Sequence, residues 1–380
     1  MTYLQAFVIA LIQGVTELFP VSSLGHSVLI PAWLGGNWQT LVTQSSQQNS
    51  GSSFYLAYIV ALHCATAVAL LWFFRADWVR IIRGFCRSLP ASVRASLRDR
   101  RLRLAVADKD ERLAWMIIFA TIPAAVTGLA LEHVFRVVFA KPLAAAALLF
   151  VNGLILLGAE ALRRSAIRRK QAAVLAGEAQ AAQITDAPAA VPVAMPAGTA
   201  GTAQSAVPAQ SPIPAGSAQS GASTASGPTR PASHRRSSGG RATADIDAAE
   251  RSDTRLAGLS YADGILIGSA QILALLAGIS RSGILMAGGL WRGLSHEDAA
   301  RFAFLLATPI ILAAGALKVP SLLGPDGAHI HGQLILGVIV CGIAAYVSVR
   351  ILVRWLQTRT LTPFAIYCLA FGALSIIRFL

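Results

Sequence analysis

The chain has 380 residues, 55% of them hydrophobic and 13% charged, with a mean hydropathy of +0.59. This is too apolar for a soluble domain of ordinary make-up and reads as an integral membrane protein. The net charge of +14 lies in basic residues between long apolar runs, where it orients a membrane protein; it does not call for a nucleic acid partner.

No Lys or Arg precedes Arg75, so the apolar start lacks the basic region of a secretory signal peptide and is expected to be retained. Residues 3 to 12 and 27 to 34 are apolar but too short to span a hydrocarbon core of ~30 Å, which takes about 20 helical residues. A re-entrant hairpin with a polar turn at its tip fits them better. Irregular backbone at membrane depth is tolerated only where protein or a wet cavity satisfies it, so the turn is a candidate site. Gln13 and Glu17 are four apart and share a helical face, Pro20 ends that helix, and Ser22, Ser23, Gly25 and His26 follow.

Residues 37 to 53 are polar and read as a loop. Residues 54 to 74 are long enough to cross, and the segment from Arg75 to Arg112 carries eleven Lys or Arg, which places it in the cytoplasm. Residues 113 to 131 cross outward and 143 to 161 return to a second basic cluster ending at Lys170. From 171 to 254 the chain is rich in Ala, Pro, Ser, Gly and Thr without apolar periodicity, as expected of a disordered cytoplasmic linker.

Residues 258 to 276 are apolar and end in Gly278-Ile-Ser280-Arg281-Ser282-Gly283, after which a shorter run reaches Arg292. Both flanks read as cytoplasmic, so this is a second hairpin. Shifting by 258 residues carries Gln13 onto Gln271, Pro20 onto Gly278, Ser22 onto Ser280 and Gly25 onto Gly283, the mark of an internal repeat. Residues 302 to 318, 333 to 353 and 362 to 379 complete the chain. The expected fold is an all-α polytopic membrane protein of six spans plus two re-entrant hairpins of opposite entry, in halves 1–170 and 255–380. Trp72, Trp78, Trp115, Trp291 and Trp355 fall near the deduced inner boundary. Cys64, Cys86, Cys341 and Cys368 show no paired spacing, so neither a disulfide nor a zinc site is expected.

Glu17 is the sole acidic residue before Asp77, and Arg281 sits at the tip of the second hairpin. A charge at the bilayer centre costs roughly 2.5 to 3.5 kcal/mol, so the two should face each other, a cavity or a charged ligand. Arg281 between Ser280 and Ser282, with Gly278 and Gly283 nearby, suits a phosphate: the guanidinium gives forked donors, the hydroxyls add more, and glycine lets backbone approach. His26 with Ser22 and Ser23 supplies a nucleophile or base for phosphoryl transfer. Glu17 orients the imidazole, accepts a proton or binds a divalent cation. His63 either lines the same cavity or bonds between helices, and Asn152 reads as a helix-packing residue.

At these residues the chain resembles the undecaprenyl pyrophosphate phosphatase family, also called bacitracin resistance proteins. The family's first motif is matched by Gln13 to Glu17 and on through Pro20-Val-Ser22-Ser23-Leu-Gly25-His26, and its second by Gly278, Ser280, Arg281 and Ser282. The similarity extends to Phe302-Ala-Phe-Leu-Leu-Ala and Pro363-Phe-Ala-Ile-Tyr367. Ala277 and Leu285 depart from the motif's proline and threonine, and the linker is longer than the family's. The resemblance implies removal of the terminal phosphate of undecaprenyl diphosphate to recycle the lipid carrier for cell-wall synthesis. It also implies a divalent cation, Mg²⁺ or Ca²⁺, and a site in the bacterial inner membrane that opens to the periplasm. Catalytic roles fall on Glu17, Ser23, His26 and Arg281, with His26 favoured over Ser23 as the attacking group. Phosphate binding falls on Gln13, Ser22, Gly278, Ser280, Ser282 and Gly283.

The alternative is a polyprenyl-phosphate transporter, because opposed hairpins meeting at the midplane also build carrier sites. The acid-phosphatase-like lipid phosphatases are set aside, since Leu24 and Ala287 stand where their signature has Ser and His. A structural scaffold would need neither Glu17 nor Arg281. A homodimer is among the expected partners, beside the lipid substrate and membrane lipids.

Overall fold

The computed structural model describes residues 1–40, 54–99, 101, 104–138, 141–185, 251–322 and 331–380. Among them every regular element is helical. In chain order these are α1 (Tyr3–Thr16), α2 (Ser23–Leu34), α3 (Phe54–Phe73), α4 (Arg75–Asp99), α5 (Lys109–Val138) and α6 (Pro142–Thr185), then α7 (Tyr261–Ser269), running into a 3₁₀ turn over Ala270–Leu275. The last four are α8 (Arg281–Trp291), α9 (His296–Leu322), α10 (His331–Thr358) and α11 (Thr362–Phe379). The described residues of 1–170 and 251–380 form one compact unit.

Among the described residues five helices are long and apolar enough to cross a membrane, or seven spans if two sharply bent pairs each count as one. Five of the expected six spans fall within α5, α6, α9, α10 and α11. The sixth, 54–74, is α3, which turns by 86° into α4. By contrast α1 has 14 residues, about 21 Å of helix, and α2 has 12, so neither spans ~30 Å.

The expected linker begins as helix. α6 continues through residues 171–185, because Gln-Ala-Ala-Val-Leu-Ala-Gly-Glu-Ala-Gln-Ala-Ala is rich in strong helix formers even without an apolar stripe. Residues 186–250 lie outside the described residues, as does most of the expected loop at 37–53. Of the tryptophans, Trp72, Trp291 and Trp355 are exposed, but Trp78 and Trp115 pack inward; Trp115 Nε1 donates to Ser88 Oγ at 3.0 Å.

Small residues let the helices approach closely, as membrane packing requires. A Cβ on Gly14 of α1 would lie 2.6 Å from the Cys341 carbonyl oxygen of α10, and one on Gly153 of α6 would lie 2.9 Å from the Ala365 oxygen of α11. The segment Arg251–Ala257 is tied down by charge. Arg80 of α4 reaches Asp77 at 2.6 Å and Asp253 at 2.7 Å, and Arg301 of α9 reaches the same two carboxylates at 2.9 and 2.7 Å. Two arginines against two buried aspartates leave no net charge, and the pattern fixes geometry more than it adds stability.

Candidate active site

Two turns meet inside this packing. The first, residues 17–22, links α1 to α2; the second, 276–280, leads from the 3₁₀ turn into α8. Ser22 is the N-cap of α2 and Ser280 the N-cap of α8. The Ser22 Oγ accepts from Gly25 N–H at 3.2 Å, and the Ser280 Oγ accepts from Gly283 N–H at 3.1 Å. Ser22 stands at φ 69°, a strained position for a residue with a Cβ, and its hydroxyl oxygen also accepts from Gly278 N–H at 3.2 Å across the junction.

The contacts between the turns are reciprocal. A Cβ on Gly25 would lie 3.1 Å from Gly278 Cα, and one on Gly283 would lie 3.2 Å from Pro20 Cβ. The shift of 258 that carries Gly25 onto Gly283 also carries Pro20 onto Gly278, so each contact is the image of the other. Gly278 is required twice over, by its φ of 115° and by the Ala145 oxygen 2.5 Å from where its Cβ would stand.

Asn152 of α6 clips both turns. Its Nδ2 donates to the Pro20 carbonyl at 3.0 Å, and its Oδ1 accepts from Ser280 N–H at 3.0 Å. The side chain is fully buried, so both bonds form where water does not compete. Read from sequence as a packing residue, Asn152 is the joint between the halves. The available signal was an amide in the middle of an apolar span.

Glu17 gathers the rest. Its Oε2 accepts from Ser23 Oγ at 2.5 Å and from Gln13 Nε2 at 3.1 Å, and lies 3.1 Å from His63 Nε2. Its Oε1 is 3.7 Å from Arg281 Nη1, which is buried and has no hydrogen-bond partner. Gln13 Oε1 is also buried and unpartnered. His63 Nδ1 faces the Ile59 carbonyl at 2.8 Å and therefore carries a proton. A second proton on Nε2 would make a charge-assisted bond to Glu17, whereas without it Nε2 accepts from the Gln13 amide at 3.1 Å.

Of the residues singled out in the sequence, Gln13, Glu17, Ser23 and Arg281 come together with His63. Ser22, Gly278, Ser280 and Gly283 build the junction, their amides and hydroxyl oxygens engaged in capping. Ser282 Oγ stands 3.1 Å from Ser280 Oγ and 3.4 Å from the carbonyl oxygens of Glu17 and Phe19. His26 keeps other company: Nδ1 meets the Ser22 carbonyl at 2.7 Å, Nε2 meets the Tyr367 hydroxyl at 2.7 Å, and the ring stacks on Tyr367 and Phe371. Tyr367 went unassigned in the sequence, lying in the last helix with no polar neighbour to mark it. Leu285, at the threonine position of the motif, is buried in the apolar core. Among the described residues no group of three or more His, Cys, Asp or Glu is placed to hold a metal ion.

A hydroxyl donating to a buried carboxylate, beside an unpaired guanidinium N–H, is an arrangement for phosphoryl transfer. The family model for bacitracin resistance protein BacA matches residues 6–187 and 238–374. Among curated relatives, undecaprenyl-diphosphatase 2 of Frankia alni is 53% identical over 385 residues, covering 100% of this chain and 98% of the relative. Undecaprenyl-diphosphatase of Mycolicibacterium paratuberculosis is 46% identical over 377 residues, covering 99% and 97%. Undecaprenyl-diphosphatase 2 of Chromobacterium violaceum is 33% identical over 381 residues, covering 99% of each. The chain belongs to the bacitracin resistance protein BacA family.

Proposed function

We propose that this chain is an undecaprenyl-diphosphatase, a membrane hydrolase that cleaves undecaprenyl diphosphate to the monophosphate and inorganic phosphate. The observation that carries the reading is the pair of contacts on Glu17: Ser23 Oγ at 2.5 Å on one oxygen and the unpartnered Arg281 Nη1 at 3.7 Å from the other.

In the mechanism we favour, Arg281 binds the terminal phosphate and offsets the charge that builds on its oxygens. Ser23 Oγ attacks phosphorus as its proton passes to Glu17. The bond to the bridging oxygen breaks, and the lipid monophosphate leaves with both bridging electrons. Water then attacks the phosphoserine, returning the Ser23 hydroxyl and releasing phosphate, with His63 relaying protons to and from Glu17. The contacts support Ser23 over His26 as the attacking group, because both nitrogens of His26 are engaged by Ser22 and Tyr367. His26 then positions the turn. Ser22, whose oxygen accepts from two backbone amides, retains a hydroxyl hydrogen with which to meet a phosphate oxygen.

A divalent cation fits as a guest shared with substrate. Glu17 would offer a carboxylate and Gln13 its orphaned buried oxygen to such an ion. Bound there, the cation would neutralise phosphate charge.

We read α1–α2 and α7–α8 as re-entrant hairpins of an inverted repeat, on the strength of their lengths and reciprocal contacts. We place the protein in the bacterial inner membrane, with the site open to the periplasm and the 171–254 segment in the cytoplasm. Purified protein reconstituted in vesicles should release one phosphate per undecaprenyl diphosphate consumed. Movement of labelled lipid across the bilayer without phosphate release would establish a carrier instead.

A further inference from the structure

We infer that α4 is an interfacial helix that seats anionic phospholipid headgroups at its end of the membrane. The inference starts from the 86° bend between α3 and α4: if α3 runs across the bilayer, α4 lies in its plane. Trp72, at the bend, is exposed, and Arg75 rests over its ring at 5.6 Å.

α4 has three faces. Ile81, Gly84, Ser88 and Ser92 are buried; a Cβ on Gly84 would lie 2.9 Å from the Asp110 carbonyl carbon, and Ser88 accepts from Trp115. Val79, Ile82, Cys86, Leu89, Val93 and Leu97 are all exposed and recur every three or four residues, which makes one unpartnered apolar stripe. Arg83, Arg87, Arg94 and Arg98 form the third face, on the side of the stripe away from Trp78 and Phe85. Arg83 and Arg94 have no carboxylate partner among the described residues.

Arg87 lies 3.7 Å from Asp108 and Arg98 3.2 Å from Asp99, both exposed pairs, so the face keeps a basic excess; an apolar stripe bordered by such arginines suits the boundary between acyl chains and acidic headgroups. A protein partner of matching apolar shape would give no use to the arginines, and a nucleic acid none to the stripe. A shallow cleft lined by Arg80, Arg83, Cys86, Arg87 and Asp110 lies on this helix beside the stripe.

The test uses the full chain in vesicles of phosphatidylcholine, with and without phosphatidylglycerol. A spin label on Cys86 in a Cys64→Ala background reports the stripe, and one on Arg94→Cys in a background lacking Cys64 and Cys86 reports the arginine face. The Cys86 label should be relaxed by oxygen more than by a water-soluble nickel chelate, and the Arg94→Cys label should show the reverse. Spin-labelled phosphatidylglycerol should associate in preference to phosphatidylcholine. Arg83→Gln, Arg87→Gln and Arg94→Gln together should abolish that preference, each contributing up to about fivefold. Phosphate release in zwitterionic detergent should be unchanged. A Cys86 label open to the nickel chelate, or one immobile and shielded from both relaxants by protein, would overturn the inference. So would an unaltered lipid preference in the triple variant.

Discussion

Glu17 and Arg281 lie 264 residues apart in the chain and meet with Oε1 and Nη1 3.7 Å apart, at a spacing too long for a hydrogen bond. The carboxylate is occupied elsewhere by Ser23, Gln13 and His63, while the guanidinium nitrogen has no partner. Arg281 is therefore held close enough to feel Glu17 and free enough to bind an anion.

Ser22 and Ser23 are neighbours with different duties, so their alanine variants should separate. Ser23→Ala removes the proposed nucleophile, and phosphate release should fall by about 10³-fold or more, in line with losses of such groups. Ser22→Ala removes the acceptor for Gly25 and Gly278, and should cost about 1–2 kcal/mol of stability with a smaller loss of rate. Phosphate release and unfolding in detergent, measured on both variants, check this. Phosphoserine detected at position 23 after rapid quenching would identify the intermediate.

Asn152→Leu keeps the branched shape but strands the Ser280 N–H and leaves the Pro20 carbonyl only the Cys368 thiol. A buried group left unpaired costs about 1–3 kcal/mol, so the variant should unfold earlier and lose most turnover through misplacement of the turns. Thermal unfolding together with phosphate release measures both effects. Unchanged values for each would deny Asn152 its clipping role.

Much of this site is legible in the sequence, and the rest is hidden for definite reasons. The two turns stand out because Glu17, Ser22, Ser23 and Ser280 to Ser282 interrupt apolar runs, and the shift of 258 alone pairs Pro20 with Gly278. Asn152 and Tyr367 do not stand out, since each is a single polar residue in a span, and only tertiary packing brings them to the turns. His26 reads as part of the reacting group because it follows Ser22 and Ser23. On the helix, however, its ring reaches back to the Ser22 carbonyl and outward to Tyr367. The start of the 171–254 segment is helical for another reason: helix propensity without an apolar stripe still extends a helix already begun.

Gly25→Ala should separate the turns, because its Cβ would press on Gly278 Cα and Ser22 Oγ, both at 3.1 Å. The Cβ of Gly158→Ala meets nothing within 4 Å on α6, and this change should be neutral or stabilising by about 0.5–1 kcal/mol. Comparing phosphate release by the two variants tests whether close approach of the turns, and not glycine content as such, sustains activity.

Tyr367→Phe leaves His26 Nε2 without its hydroxyl partner. If His26 positions the turn, turnover should fall less than tenfold with an unshifted pH profile, while His26→Ala should lose both stability and most activity. A pH profile displaced by Tyr367→Phe would put His26 into the chemistry instead. Steady-state phosphate release across pH decides between the two.

Both turns contribute to one reacting site, and the most direct measurement of this is phosphate release from undecaprenyl diphosphate by Glu17→Gln and Arg281→Gln, with unfolding monitored alongside. Each variant should remain folded and lose about 10²-fold or more in rate, as when an electrostatic group at a phosphoryl site is removed. A folded Arg281→Gln protein that hydrolyses the lipid at the full rate would contradict it.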